Sequence, residues 1–252
     1  MALSLRMVII ISVGVFLASF VDAIGGGGGI ISVPAYLLAG LPAHLALGTN
    51  KLSACIGTSV STGRFIHSGY VDWKLAVPSV FFAFAGSHAG TCLQLAIDEK
   101  YLKYMLMIVL PVIAFLVLRQ KELPETKREM NENKRMAIVF AASLIIGVYD
   151  GFYGPGTGSF LILLFCNLAK LDLRTAAGNV KIVNFASNIG ALLTSLAAGK
   201  VFLGLGLIGA LFSVLGNYLG SGLAIKNGTK IVRPVILTVL IIFTIKVISE
   251  II

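Results

Sequence analysis

Four charged residues stand in apolar surroundings: Lys51 and Lys181, Asp22 and Asp150. Each lysine lies eight or nine residues into its segment, roughly 12 to 14 Å along a helix axis, close to the middle of a bilayer. A lysine there costs about 2.5 to 3.5 kcal/mol on the insertion scale, so something must compensate it. One compensation is structural: the amine snorkels or pairs with a buried acid, and Asp22 and Asp150 are at hand. The other is functional, a cation lining an anion path, with polar support from Thr49 and Asn50 in the first half and Asn179 and Asn184 in the second.

The second chemical signal is backbone. Asp22-Ala-Ile-Gly-Gly-Gly-Gly-Gly runs on to Pro34, and Asp150-Gly-Phe-Tyr-Gly-Pro-Gly-Thr-Gly repeats it, so that Gly26 falls on Gly154 and Gly28 on Gly156 at an offset of 128. Glycine and proline interrupt a helix, and inside a membrane broken backbone survives only where protein or a water-filled cavity satisfies it. A helix restarting after Gly26, Gly27, Gly28 and Gly29, and another after Gly154, Gly156 and Gly158, would aim free N–H groups at such a cavity, a receptor for an oxyanion. Thr157 and Ser159 add hydroxyls. The plainer reading of the glycines is close helix packing. Asp22 and Asp150 cap the broken helices, balance the lysines, or carry a coupled proton. No GKS or GKT is present, so these are not nucleotide-loop glycines.

The elements that must position these groups follow from hydropathy. Of 252 residues 57% are hydrophobic and only 12% charged, with a mean hydropathy of +0.95, against about 25% charged in a soluble domain. The chain reads as an all-α polytopic membrane protein. Its net charge of +9 comes from lysines and arginines in short loops, as the positive-inside rule expects, which removes nucleic acid as a partner. Apolar segments run over 8–21, 30–41, 43–66, 73–97 and 101–118, then, beyond a charged linker at 119–135, over 136–149, 157–168, 173–198, 201–225 and 231–248. Beyond the glycine breaks, Gly48, Lys51, Gly69, Gly86 and Gly90 recur as Gly178, Lys181, Gly199, Gly216 and Gly220 at an offset of 130. The chain is therefore two repeats, 1–118 and 136–252. The N-terminal run resembles a signal peptide, but its copy at 136–149 argues for a retained segment.

As helices, 8–21 and 30–41 cover only about 21 and 18 Å. They read as half-helices dipping in from one side and meeting at the glycines. Each repeat then adds three full crossings, and the odd number inverts the second repeat. Leaving out Lys51 and Lys181, inversion puts thirteen basic residues on the linker side and five (Arg6, Lys100, Lys103, Lys200 and Lys246) opposite; counting each broken segment as one crossing gives eleven against seven. The inverted arrangement wins, with the linker cytoplasmic. Gly86/Gly90 and Gly216/Gly220 read as helix-packing contacts, Trp73 as an interfacial anchor, and Cys55, Cys92 and Cys166 as small buried hydrophobes. The three histidines have no metal-ligand spacing, and neither metal nor cofactor is expected.

The ordered set, Asp-x-x-x-Gly-Gly-Gly-Gly with a following proline, Gly48-Thr-Asn-Lys51, Gly154-Pro-Gly-Thr-Gly and Gly178-Asn-Val-Lys181, resembles the TauE/SafE sulfite exporter family over nearly the whole chain. The resemblance implies a multi-pass transporter of the cell inner membrane for sulfite, sulfonates or related organic anions. The glycine breaks and the two lysine segments carry over; Val180 stands where the first half has Asn50, so the site must be lopsided. The partners expected are a small anionic sulfur compound and the lipid bilayer, and an oligomer is compatible with all of this. A passive anion channel would use the same residues. An intramembrane enzyme using a Lys and Asp pair has no nucleophile, base or metal cluster to support it, so the chain is not read as an enzyme.

Overall fold

A computed structural model describes residues 3–98, 100–101, 126, 128–228 and 231. The segments at 101–118 and 231–248 fall outside these beyond their first residues, as do 119–125 and 127 of the linker. Eight helices are described: α1 Leu5–Gly25, α2 Gly29–Leu38, α3 Ala43–His67, α4 Trp73–Ala96, α5 Glu132–Phe152, α6 Thr157–Asn167, α7 Leu173–Ala197 and α8 Leu203–Asn227. Among the described residues there is no strand.

Four of the helix starts in the loops, those of α1, α4, α5 and α7, are capped by side chains. Ser4 accepts from the Met7 N–H, Asp72 from Lys74, Asn131 from Asn133 and Asp172 from Thr175, each satisfying a first-turn N–H that the helix itself leaves unpaired. The starts of α3 and α8, and those of α2 and α6 at the glycine breaks, have no side-chain bond from their N-cap residues.

Among the described residues five helices, α1, α4, α5, α7 and α8, are long and apolar enough to cross a membrane. This corrects the sequence reading of the broken pairs. Their first members, α1 and α5, are 21 residues each, about 31 Å, and only the second members, of 10 and 11 residues, are half-length. The apolar run alone understates the first members: α1 continues through Asp22 to Gly25, and α5 begins with the charged Glu132 to Arg135. Arg135 is buried because its guanidinium donates to the main-chain oxygens of Ala169 and Arg128 and pairs with Glu132. α3 has 25 residues, yet Thr49, Asn50, Lys51 and its run of serines and threonines leave it outside that apolar set. A helix this polar belongs inside the bundle, and its neighbours α2, α7 and α8 keep it there.

The packing exchanges helices between the halves. One apolar core joins Met7, Ile11 and Val15 of α1 and Tyr36 of α2 to Leu205 of α8. The other joins Val139 of α5, Phe165 of α6 and Val180 of α7 to Leu75 and Ala83 of α4. Small residues make the exchange close: Gly86 and Gly90 face the α5 backbone between Leu144 and Phe152, and Gly216 and Gly220 face the α1 backbone between Phe16 and Phe20. The matched helices α3 and α7 cross antiparallel, with Gly48 against Ser195 and Lys200, Thr62 donating to the main-chain oxygen of Lys181, and Gly178 against Tyr70. Trp73 opens α4 half-exposed; Cys166 is buried, Cys55 intermediate and Cys92 exposed, so the last departs from the buried expectation.

Candidate functional site: a buried cavity at the two glycine breaks

The two breaks meet at the middle of the bundle. Gly26 and Gly154, paired by the repeat, take φ of +76° and +91°, a region that glycine enters without steric cost. A Cβ at Gly26 would stand 2.5 Å from Gly158 C and Ser159 N, and one at Gly158 would stand 2.8 Å from the Gly26 Cα. Backbone therefore touches backbone between the halves, and the Ser159 hydroxyl donates to the Gly25 main-chain oxygen at 3.0 Å. The repeat is imperfect here: Gly156 is left-handed at φ +86°, whereas its counterpart Gly28 is right-handed at φ −53°.

Beside this contact lies a cavity of about 50 Å³. One water needs roughly 10 to 15 Å³ on that measure, so about four waters, or one small anion, would fill it. The ends of α1 and α5, the starts of α2 and α6, and the middles of α3, α7 and α8 build its walls. Gly29 and Gly158 line it as first-turn residues of α2 and α6, positions whose N–H groups have no intrahelical partner.

The charges pair across the halves. Lys51 Nζ lies 2.7 Å from Asp150 Oδ2 and donates to Asn188 Oδ1 at 3.2 Å. Asp150 also accepts from the Thr157 hydroxyl at 2.8 Å and from Ser187. Gly154 leaves room for the amine, since a Cβ there would stand 3.3 Å from Lys51 Nζ. In the mirrored pair, Lys181 Nζ lies 3.5 Å from Asp22 Oδ2 and donates to the Asp22 main-chain oxygen, while Asp22 Oδ1 accepts from the Gly28 N–H at 3.1 Å. The structural compensation anticipated for the lysines is therefore present at both.

Of the residues singled out in the sequence, Asp22, Gly27, Gly28, Gly29, Asn50, Lys51, Asp150, Gly154, Thr157, Gly158 and Asn184 line the cavity. Lys181 stands behind Asp22. Gly26 and Gly156 shape the break without lining the cavity. Thr49 is engaged elsewhere, where its hydroxyl accepts from the Phe202 N–H at 2.9 Å, at the start of α8. Asn179 donates to the Thr175 main-chain oxygen within α7. The sequence reading missed Ser19, Ser32, Ser53, Thr58, Asn188 and Asn217, which also line the cavity. Two of these carried a signal. Asn188 follows Asn184 by one helical turn and so shares its face, and Asn217 is an amide in the middle of the mostly apolar α8. The amides of Asn50 and Asn184 have no side-chain partner among the described residues, and neither does Asn217 Oδ1.

The family model for the sulfite exporter TauE/SafE matches residues 10–247. The chain belongs to the TauE/SafE family. Similar proteins are a probable membrane transporter protein, ORF9, of a Sinorhizobium species, 35% identical over 98% of this chain and 95% of that protein, and one of Haemophilus influenzae, 34% identical over 93% and 92%. The probable membrane transporter YfcA of Escherichia coli K12 is 34% identical over 93% of this chain and 87% of its own length. No solved structure matches the chain. A TauE/SafE chain with five long apolar helices among its described residues is a multi-pass membrane protein of the transporter type.

Proposed function

We propose that this TauE/SafE protein is a secondary transporter that binds one small sulfur-containing anion, sulfite or a sulfonate, in the central cavity. The observation that carries the reading is the convergence of two uncapped helix starts and a buried lysine on one cavity of about 50 Å³. Lys51 has three N–H donors, of which Asp150 and Asn188 take two; the third serves the anion. Asn50, Asn184 and the first-turn N–H groups at Gly29 and Gly158 serve its remaining oxygens, each a hydrogen bond to a charged acceptor.

The antiparallel crossing of α3 and α7 supports reading 1–118 and 136–252 as inverted repeats around this site, the arrangement that lets one half rock against the other. The excess of basic residues supports an inner-membrane protein with the 119–135 linker in the cytoplasm. With no phosphate-binding loop in the sequence, ion gradients or the gradient of the substrate itself supply the energy. The test is counterflow in liposomes: sulfite- or sulfonate-loaded vesicles should accumulate labelled substrate with saturable kinetics, and Lys51→Ala should abolish it with the protein still folded. Undiminished counterflow in that variant removes Lys51 from the mechanism, and unitary currents in place of saturation make the protein a channel.

A further inference from the structure

Over all the helices that wall it, the cavity is neutral. Lys51 with Asp150, at 2.7 Å, and Lys181 with Asp22, at 3.5 Å, each sum to zero. The positive ends of α2 and α6 lie beside the negative ends of α1 and α5, and these cancel as well. An anion that enters alone therefore carries a charge that nothing there balances, in surroundings where such a charge is far more costly than in water. A lysine could balance it if its aspartate were neutralised, and the two aspartates are not equally held. Asp150 accepts from Lys51 at 2.7 Å, from Thr157 at 2.8 Å and from Ser187, and its side chain is 3% exposed. The Asp22 side chain lines the cavity and is 17% exposed. Its Oδ1 accepts from the Gly28 N–H at 3.1 Å, but Oδ2 has only Lys181 at 3.5 Å, and that amine gives its shorter hydrogen bond to the Asp22 main-chain oxygen. Asp22 Oδ2 is thus the most weakly held of the four carboxylate oxygens.

Resting on the anion-transport reading above, we infer that Asp22 is the coupling site: it takes up one proton as the anion binds and releases it as the anion leaves, so that the two move together. The proton comes from water and adds to Oδ2. Lys181, no longer cancelled by Asp22, then balances the anion, and the loaded site is again neutral. Lys181 also decides between a proton and a metal cation, because its ammonium group stands against Oδ2 and would repel a sodium ion there but not a neutral carboxylic acid. The other charged groups facing Asp22 are Lys51 of α3 and Asp150 of α5, across the cavity and paired with each other; α2, α6 and α8 present only glycine, hydroxyl and amide groups. Arg64 of α3 is turned to Tyr218 of α8 instead.

The experiment is calorimetric titration of the purified full-length protein with methanesulfonate, an anion that does not itself titrate near neutral pH, in sodium-free buffers of differing ionisation enthalpy. The expected uptake is about one proton per anion bound, and by linkage the affinity should rise as pH falls, about ten-fold per unit between about pH 8 and pH 6. Asp22→Asn imitates the protonated acid and keeps an Oδ1 acceptor for the Gly28 N–H; it should bind with no proton uptake and an affinity that does not change with pH. Binding to the unmodified protein without proton uptake overturns the inference and leaves the transport reading standing, as does an affinity that follows added sodium in place of pH. Proton uptake that persists in Asp22→Asn overturns the assignment to Asp22. Binding of neither methanesulfonate nor sulfite overturns the transport reading, and this inference with it.

Discussion

Replacing Lys51 with methionine tests whether the pair it makes with Asp150 is a unit of structure as well as of binding. The two groups are 2.7 Å apart with side chains 8% and 3% exposed. At that distance their gross attraction is about 6 kcal/mol for an effective dielectric near 20, most of it offset by the cost of taking both ions out of water. Removing the amine alone leaves Asp150 with only Thr157 and Ser187 as donors, a buried charge without a counter-ion, and such losses run to about 3 to 5 kcal/mol. Removing both charges, in Lys51→Met with Asp150→Asn, eliminates that penalty. The double variant should therefore recover at least half of what the single one loses. Unfolding free energies from SDS titration of detergent-purified protein measure this directly, and anion binding measured on the same samples should be absent from both variants. A double variant destabilised by the full sum of its single changes would refute the reasoning, since it would mean the two groups do not interact.

The glycine contact and the Thr49 cap give two further expectations. Gly26→Ala sets a Cβ 2.5 Å from the α6 backbone at a positive φ and should cost several kcal/mol, on the order of 3 or more, whereas Gly63→Ala, with nothing within 4 Å, should gain about 0.5 to 1 kcal/mol of helix stability; equal unfolding midpoints for the two would contradict the close contact. Thr49→Val removes the acceptor for the Phe202 N–H and should lower stability by about 1 kcal/mol without changing anion affinity. A changed affinity in a calorimetric titration would return Thr49 to the site.

The membrane class, the repeated motifs and the positions of the helix breaks were readable in the linear chain, which marked Lys51 and Lys181 alike as the intramembrane cations. Each rests on a local property: hydropathy over about twenty residues, or a glycine run that no helix carries undisturbed. Partnership is not local. Lys51 and Asp150 lie 99 residues apart, so the sequence could name the acids without saying which lysine each would meet. Tertiary packing also decided that Thr49, one residue from Asn50, turns its hydroxyl to the start of α8 while Asn50 lines the cavity. Neighbouring positions on a helix point about 100° apart, and only the surrounding helices determine which of those directions is the inside.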